Sequence, residues 1–246
     1  QKLWSDSSLT AAFSPRLGGT PSDSTFSLNA GATNPGNRWL LAASHKLAPE
    51  INPQVVLYGG EHTSTQAGLN LSGLVNQATV AYLEYSIGRA PSLVRAAQGL
   101  TDAERRRQRG VAGLTYTTGF NLSLTAEFEY NSAAPNRMEW QAMTANSPLD
   151  ALRLLSYVRA QQDLPVRRAV FVYALWRDFG LHNLDLSGFV RLDTQSRSRE
   201  QWLEARYRWS KTELALQWQQ YAGSSLSVYD LVPQARRAEI VFRAYL

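Results

Sequence analysis

Two carboxylates one residue apart, Glu127 and Glu129, are the first candidates for chemistry in this sequence of 246 residues. Side chains two positions apart in an extended strand point to the same side, which is a spacing that an acid/base pair can use. The residues that alternate with them are apolar: Leu122, Leu124, Ala126, Phe128 and Tyr130. Such a pattern is also typical of solvated carboxylates on the polar side of a strand, and we favour that interpretation.

The remaining residue types argue against an enzyme. The three histidines, His45, His62 and His182, lie on separate predicted strands and have neither a metal-ligand spacing nor a Ser-His-Asp pattern around them. The sequence has no Cys, which removes thiolate ligands, disulfides and Cys nucleophiles. No glycine-rich phosphate loop is present. We therefore expect no catalytic activity, no metal and no cofactor.

Period-two alternation bounded by turn residues extends along most of the chain. It predicts about twelve strands, at 24–32, 37–47, 53–62, 66–73, 78–88, 109–118, 120–131, 166–177, 182–193, 199–209, 211–222 and 236–246. Most reach the roughly nine to eleven residues of a tilted strand that crosses a bilayer, whereas soluble strands average about five or six. No segment approaches the roughly 18 consecutive apolar residues of a transmembrane helix.

The predicted links between these strands alternate in length. The links at 89–108, 132–165 and 223–235 are long and fall on one side, whereas those at 74–77, 119 and 210 are tight and fall on the other. Outer-membrane barrels have short periplasmic turns and longer extracellular loops. We therefore expect a single domain over 1–246 in which 132–165 is a long extracellular loop.

Two loops contain helix signals. Within 132–165, Ser147 and Pro148 are typical of a helix start, and apolar residues at 151, 154, 155 and 158 predict a helix over 149–162. In the preceding long link, TDAE at 101–104 matches a capping box and predicts that a helix begins before Arg105.

The N-terminal segment 1–23 has three open interpretations: an additional strand, a plug or a periplasmic segment. SDSSLTAAFS at 5–14 would make a thirteenth strand, but single-chain bacterial barrels normally hold an even number. A barrel of 14 or more strands follows if strands precede Gln1. The start lacks the pattern of a signal peptide, so we expect any such peptide to have been removed.

Aromatic residues on or near predicted strand ends suit a membrane interface. These are Trp39, Tyr85, Tyr130, Trp176, Tyr207, Trp209 and Trp218. AEIVFRAYL at 238–246 alternates to the last residue and resembles the C-terminal strand that Gram-negative outer-membrane β-barrels present to their assembly machinery. That family usually ends in an aromatic residue, and this chain ends in Leu246. The resemblance implies an all-β fold, an antiparallel transmembrane β-barrel of porin-like architecture in the bacterial outer membrane, without indicating a particular family.

In such a barrel the charged residues of the strands would line the lumen. The predicted pore-lining residues are Glu84, Glu127, Glu129, Asp185, Arg191, Glu204, Arg206, Arg208 and Arg243. The acids near mid-chain and the later arginines would occupy different arcs of the wall and create a transverse field. Cross-strand pairing would instead neutralise these charges and fill the interior. The residues that could pair are Glu204, Arg206, Glu213, Glu239 and Arg243. Both arrangements are open.

The net charge of +5 does not indicate a nucleic-acid partner, because the arginines are scattered over many strands. The exception is a cluster of Arg105, Arg106, Arg107 and Arg109. On an extracellular loop these guanidinium groups would contact phosphates of lipopolysaccharide. The simpler interpretation is a solvated helix end.

The sequence thus predicts a porin-like channel or export conduit for small polar or saccharide solutes. The alternative is a closed barrel that acts as a membrane anchor or structural subunit of an envelope complex. Outer-membrane lipid and lipopolysaccharide are the expected partners, together with other envelope proteins in the alternative function.

Overall fold

The strands of the described residues, 13 in number, form one antiparallel sheet in which each strand pairs with the next described strand along the chain. The computed structural model describes residues 2–4, 6–17, 34, 36–48, 50–61, 63–100 and 104–245. The strands are β1 Lys2–Trp4, β2 Ser7–Ser14, β3 Arg38–His45, β4 Gln54–Gly60, β5 Thr63–Asn76, β6 Thr79–Ala90, β7 Arg105–Thr117, β8 Leu122–Asn131, β9 Arg168–Trp176, β10 Leu184–Asp193, β11 Ser198–Arg208, β12 Thr212–Ala222 and β13 Arg236–Ala244. The helices are α1 Leu93–Ala97, α2 Arg137–Asn146 and α3 Pro148–Gln161.

The strand predictions from residue 37 onward are confirmed, each by one of β3 to β13. The predicted strand at 24–32 lies outside the described residues. Segment 5–14 contains β2, which pairs with β3 from Ser7 opposite His45 to Ser14 opposite Arg38. Of the three interpretations of the N-terminal segment, the additional strand is therefore the one that applies to 7–14.

The strand order is that of an up-and-down barrel. Among the described residues, β1 and β13 each have a single neighbour in the sheet. The sheet as described is therefore open between these two strands.

On the two faces of the sheet, burial is the reverse of that in a soluble protein: apolar side chains are exposed and charged ones are buried. In β11, Leu203 is 55% exposed, whereas the adjacent Glu204 is only 8% exposed. In β8, Leu124 and Phe128 are exposed while Glu129 is buried. Soluble proteins rarely bury carboxylates while exposing large apolar side chains in rows. We call the apolar side the outer face and the charged side the inner face.

The loops divide between two ends of the sheet. The segments 91–104, 132–167 and 223–235 connect strands at one end, which we call the long-loop end. The opposite, short-loop end has tight connections at 77–78, 118–121 and 209–211. The predicted alternation of link length is therefore present, although 46–53 at the short-loop end is longer than 194–197 at the long-loop end.

The helices lie within the two long loops at 91–104 and 132–167. The predicted helix at 149–162 is confirmed as α3. Helix α2 was not predicted, although its start has a capping box in which Asn136 and Glu139 bond each other's backbone N–H. No helix among the described residues is both long and apolar enough to span a membrane.

The predicted helix start before Arg105 is wrong. Residues from Arg105 onward form β7, which pairs with β6 from Ala90 opposite Arg105 to Thr79 opposite Tyr116. The helix of this loop is α1, where the Ser92 side chain accepts a hydrogen bond from the backbone N–H of Arg95. Ladder hydrogen bonds from a neighbouring strand outweigh a local capping pattern, because they satisfy every second backbone group along the segment.

Aromatic rings gather at the short-loop end. Trp176 contacts Phe120 and Phe179, with ring centroids 5.6 Å and 4.7 Å away, and Tyr207 contacts Trp209 at 4.6 Å. Two other aromatic residues on the predicted interface, Tyr85 and Trp218, lie inside β6 and β12 rather than at strand ends.

Replacing Leu124 or Leu186 with Arg tests the outer face. Both residues lie on that face, and an Arg near the middle of the hydrocarbon costs about 2 to 4 kcal/mol in transmembrane barrels. We expect either variant to lose the heat-modifiable gel mobility of the folded protein in detergent. Glu127→Gln on the inner face is the matched control and should fold normally. The opposite result would mean that the two faces are reversed.

Candidate functional site

The inner face brings all the predicted pore-lining residues to one side of the sheet. The strand register alternates their side chains with the outer apolar residues, for example Asp185 opposite Arg206 and Glu127 opposite Gly113. The same alternation places the whole predicted set on this face: Glu84, Glu127, Glu129, Asp185, Arg191, Glu204, Arg206, Arg208 and Arg243. That they line an open pore stays a prediction.

Arg206 is the centre of one charge network on the inner face. Its Nε and Nη2 donate to the two carboxylate oxygens of Glu204 at 2.9 Å, and its Nη1 donates to Glu213 at 2.9 Å. Arg243 donates to the same Glu213 oxygen at 2.7 Å, and Gln217 donates to Glu204 at 2.6 Å. The network joins β11, β12 and β13, and its two acids balance its two arginines.

Arg191 is the centre of a second network. Its Nε and Nη2 donate to the carboxylate of Glu129 at 3.0 Å and 3.2 Å, and its Nη1 donates to Glu200 at 3.4 Å. The guanidinium carbon lies 5.0 Å from the ring centre of Phe171 and 5.9 Å from that of Phe189. The two parallel hydrogen bonds to Glu129 and the faces of the two rings hold this guanidinium group in one position.

These contacts decide between the two predicted charge arrangements. Glu129, from the middle of the chain, is bound to Arg191 of the later strands, so the two signs are not segregated on separate arcs. Arg208 also donates to Asp185, and the Tyr82 hydroxyl donates to Glu127. Pairing is the observed arrangement, and it leaves no basis in these contacts for a transverse field.

Inward-facing aromatic residues were missed by the sequence reasoning. Phe189 contacts Phe171 and Trp202, with ring centroids 5.4 Å and 5.8 Å away. The sequence did contain a signal for them: Phe189 is two residues from Arg191, and Trp202 is two residues from Glu204, so each ring shares a strand face with a charged residue. The inner wall is therefore part charged and part aromatic.

The loop 132–167 packs over this wall at the long-loop end. Asn131 is buried and donates to Asp163 at 3.1 Å and to the Leu164 carbonyl at 3.2 Å, and Arg109 donates to Asp163 at 2.6 Å. A buried apolar cluster joins this loop to α1, the start of β9 and loop 223–235: Leu93, Ala133, Ala134, Trp140, Ala151, Leu154, Val158, Val166, Ala169 and Val228. Helix α3 is thereby held across the inner side of the sheet.

The arginine cluster is divided between the two faces. Arg105, Arg107 and Arg109 alternate onto the inner face, and Arg107 donates to the Ser132 carbonyl at 3.0 Å. Arg106 alone of the four points to the outer face, where its partner in the register is Arg89. The four residues therefore lie in a strand rather than at a helix end or in a loop, and they do not form one group.

No protein-family model and no curated protein matches the sequence. Solved structures are similar to it, and three of them have 12% to 14% sequence identity. OccAB1 of Acinetobacter baumannii has 13% identity and a TM-score of 0.61 over 98% of this chain and 65% of its own. OccK8 (OprE) of Pseudomonas aeruginosa has 12% identity and 0.54 over 98% and 67%, and OccK11 (OpdR) of the same species has 14% and 0.51 over 97% and 60%.

The likeness to these structures, at under 25% identity, shows the fold: the chain has a porin-like β-barrel fold. That fold agrees with the predicted location in the bacterial outer membrane. The chain spans less than two thirds of the length of OccAB1 (65%) and of OccK11 (60%).

Removing Arg206 tests the charge network. Arg206→Gln leaves the buried carboxylate of Glu204 without a cation and Glu213 with Arg243 alone, which is costly. We expect a lower urea midpoint of unfolding in detergent. Adding Glu204→Gln should recover part of the loss, because it removes the charge that has lost its cation. An unchanged midpoint in the single variant would show that the network does not stabilise the sheet.

Proposed function

We propose that the protein is a porin-like channel for small polar solutes, with the inner face as the wall of its lumen. The observation that supports this most directly is the inverted burial, in which exposed apolar rows on one face oppose charged and hydrogen-bonded rows on the other. Such a sheet separates hydrocarbon from water. The porin-like fold shared with OccAB1, OccK8 and OccK11 supports transport over catalysis.

The pairing of charges on the wall affects which solutes would pass through the proposed lumen. Because Arg191, Arg206 and Arg243 each contact a carboxylate, the wall presents both signs close together. A lumen of this kind attracts neither cations nor anions strongly. The protein's net charge of +5 alone would favour anionic solutes. Because the wall charges are paired, we propose that the channel passes polar, largely uncharged solutes, saccharides among them.

A second function is favoured by the packing of loop 132–167 against the inner side. The buried Trp140 donates to the Leu226 carbonyl at 2.8 Å and ties this loop to loop 223–235. A lumen obstructed in this way would suit a membrane anchor or structural subunit of an envelope complex. Such a protein would have no conductance and would purify with a stoichiometric partner.

We propose in addition that the long-loop end is extracellular and that Arg89 and Arg106 contact lipopolysaccharide phosphates. Both arginines are exposed on the outer face near that end. They border a shallow outer groove together with Thr65, Ala67 and Ile87. Two guanidinium groups at the level of the headgroups provide a site for a phosphate.

Reconstitution in planar bilayers tests the channel. We expect discrete conductance steps with a cation-to-anion permeability ratio near unity, roughly within a factor of three, because paired charges focus little field. Absence of both conductance and solute flux, with a partner protein present in equal amount, would instead establish the anchor function.

Arg89→Gln with Arg106→Gln tests the lipid contact. The double variant should retain less lipopolysaccharide through purification and gain less thermal stability when lipopolysaccharide is added. Arg109→Gln is the matched control, since it removes an arginine of the inner face that does not line this groove. Equal retention by the double variant and the control would contradict the contact.

A further inference from the structure

A cavity of about 680 Å³ lies between α3, loop 223–235 and the inner wall. Its volume is within the roughly 300 to 1,000 Å³ of typical small-molecule sites. Leu155, Val158 and Val232 are among the apolar side chains that line it, and Glu200, Tyr221 and Tyr229 are among the polar ones. The cavity is thus built from three separate parts of the chain.

Tyr229 is the unusual member of this lining. Its side chain is only 4% exposed, and among the described residues its hydroxyl is buried without a hydrogen-bond partner. Burial raises the pKa of Tyr229, and the nearby carboxylate of Glu200 raises it further, so the hydroxyl is a neutral donor. A buried donor without an acceptor is costly, and an oxygen atom of a bound molecule would satisfy it.

The principal charges of the cavity are already occupied. Arg191 is bound to Glu129 and to Glu200, and Asp163 is bound to Arg109. Glu200 also accepts from Gln219 at 3.0 Å. Arg159, the remaining charge of the lining, is exposed to solvent. The less exposed charges of the cavity are therefore compensated and do not select an ionic solute.

The apolar side of the cavity suits one face of a ring. Tyr221 and Tyr229 are stacked at 6.1 Å with an angle of 24° between their planes, next to Leu155 and Val158 of α3. A saccharide ring has a C–H face that packs on such a surface and hydroxyl groups that exchange hydrogen bonds at its edge.

We infer that this cavity binds a neutral, ring-shaped polar solute about the size of a monosaccharide, and that the Tyr229 hydroxyl donates a hydrogen bond to one of its oxygens. The inference rests on the proposed channel function, since a solute would reach the cavity through the lumen. It deepens that function by assigning a solute class and a specificity-determining residue.

Equilibrium dialysis of glucose against the full chain in detergent tests the site. We expect saturable binding, weakened about tenfold by Tyr229→Phe, which removes one hydrogen bond and no volume. Tyr116→Phe is the matched control on the exposed outer face and should bind as the wild type does. Leu152→Trp, at an exposed position of the lining, should also weaken binding because it fills part of the cavity.

Glucuronate and glucosamine form the other arms of the experiment. Neither should bind more tightly than glucose if the charges of the cavity are compensated. A preference of tenfold or more for either charged sugar, no saturable binding of glucose, or equal effects of Tyr229→Phe and Tyr116→Phe would each overturn the inference. Conductance without glucose binding would refute this site alone, whereas glucose binding without conductance would refute the channel and leave the site.

Discussion

Adjacent strand residues of opposite polarity must meet different solvents, and the other features of this structure follow from that requirement. Leu203 and Glu204 are neighbours in β11, yet the apolar side chain is exposed and the charged one is buried. Backbone geometry sends them to opposite faces. The arrangement is stable only where the outer side meets hydrocarbon and the inner side meets water or partner charges, which is the condition of a membrane barrel. A soluble sandwich would require the reverse.

On the inner face, the charged side chains are stabilised by pairing with one another. Arg191 and Arg206 each contact two carboxylates, and these contacts connect strands that are not always adjacent in the sheet. Removing one member of such a group leaves a charge that water reaches poorly, so the networks link the stability of the wall to its selectivity. The same pairing is the reason why we expect, despite the net charge of +5, a wall without a strong preference for anions.

The loops supply what the sheet lacks, namely a conventional apolar core. Leu154 and Val158 of α3 are buried with Ala169 at the start of β9 and Val228 of loop 223–235. Because this cluster forms on the inner side, it positions α3 against the wall and creates the cavity that contains Tyr229. In the proposed channel, this one packing arrangement would both narrow the lumen and form the inferred solute site.

The sequence predicts the strands from residue 37 onward, helix α3 and the face of each predicted pore-lining residue, because these follow from local periods of two and 3.6 residues. That Arg105 begins a strand depends on tertiary contacts, since its backbone is satisfied by β6 rather than by a helical turn. The same is true of the contact of Arg191 with Glu129 across β9, and of the burial of Tyr229 without an acceptor among the described residues. Contacts of this kind depend on register and on how a distant loop packs, and no local period encodes either.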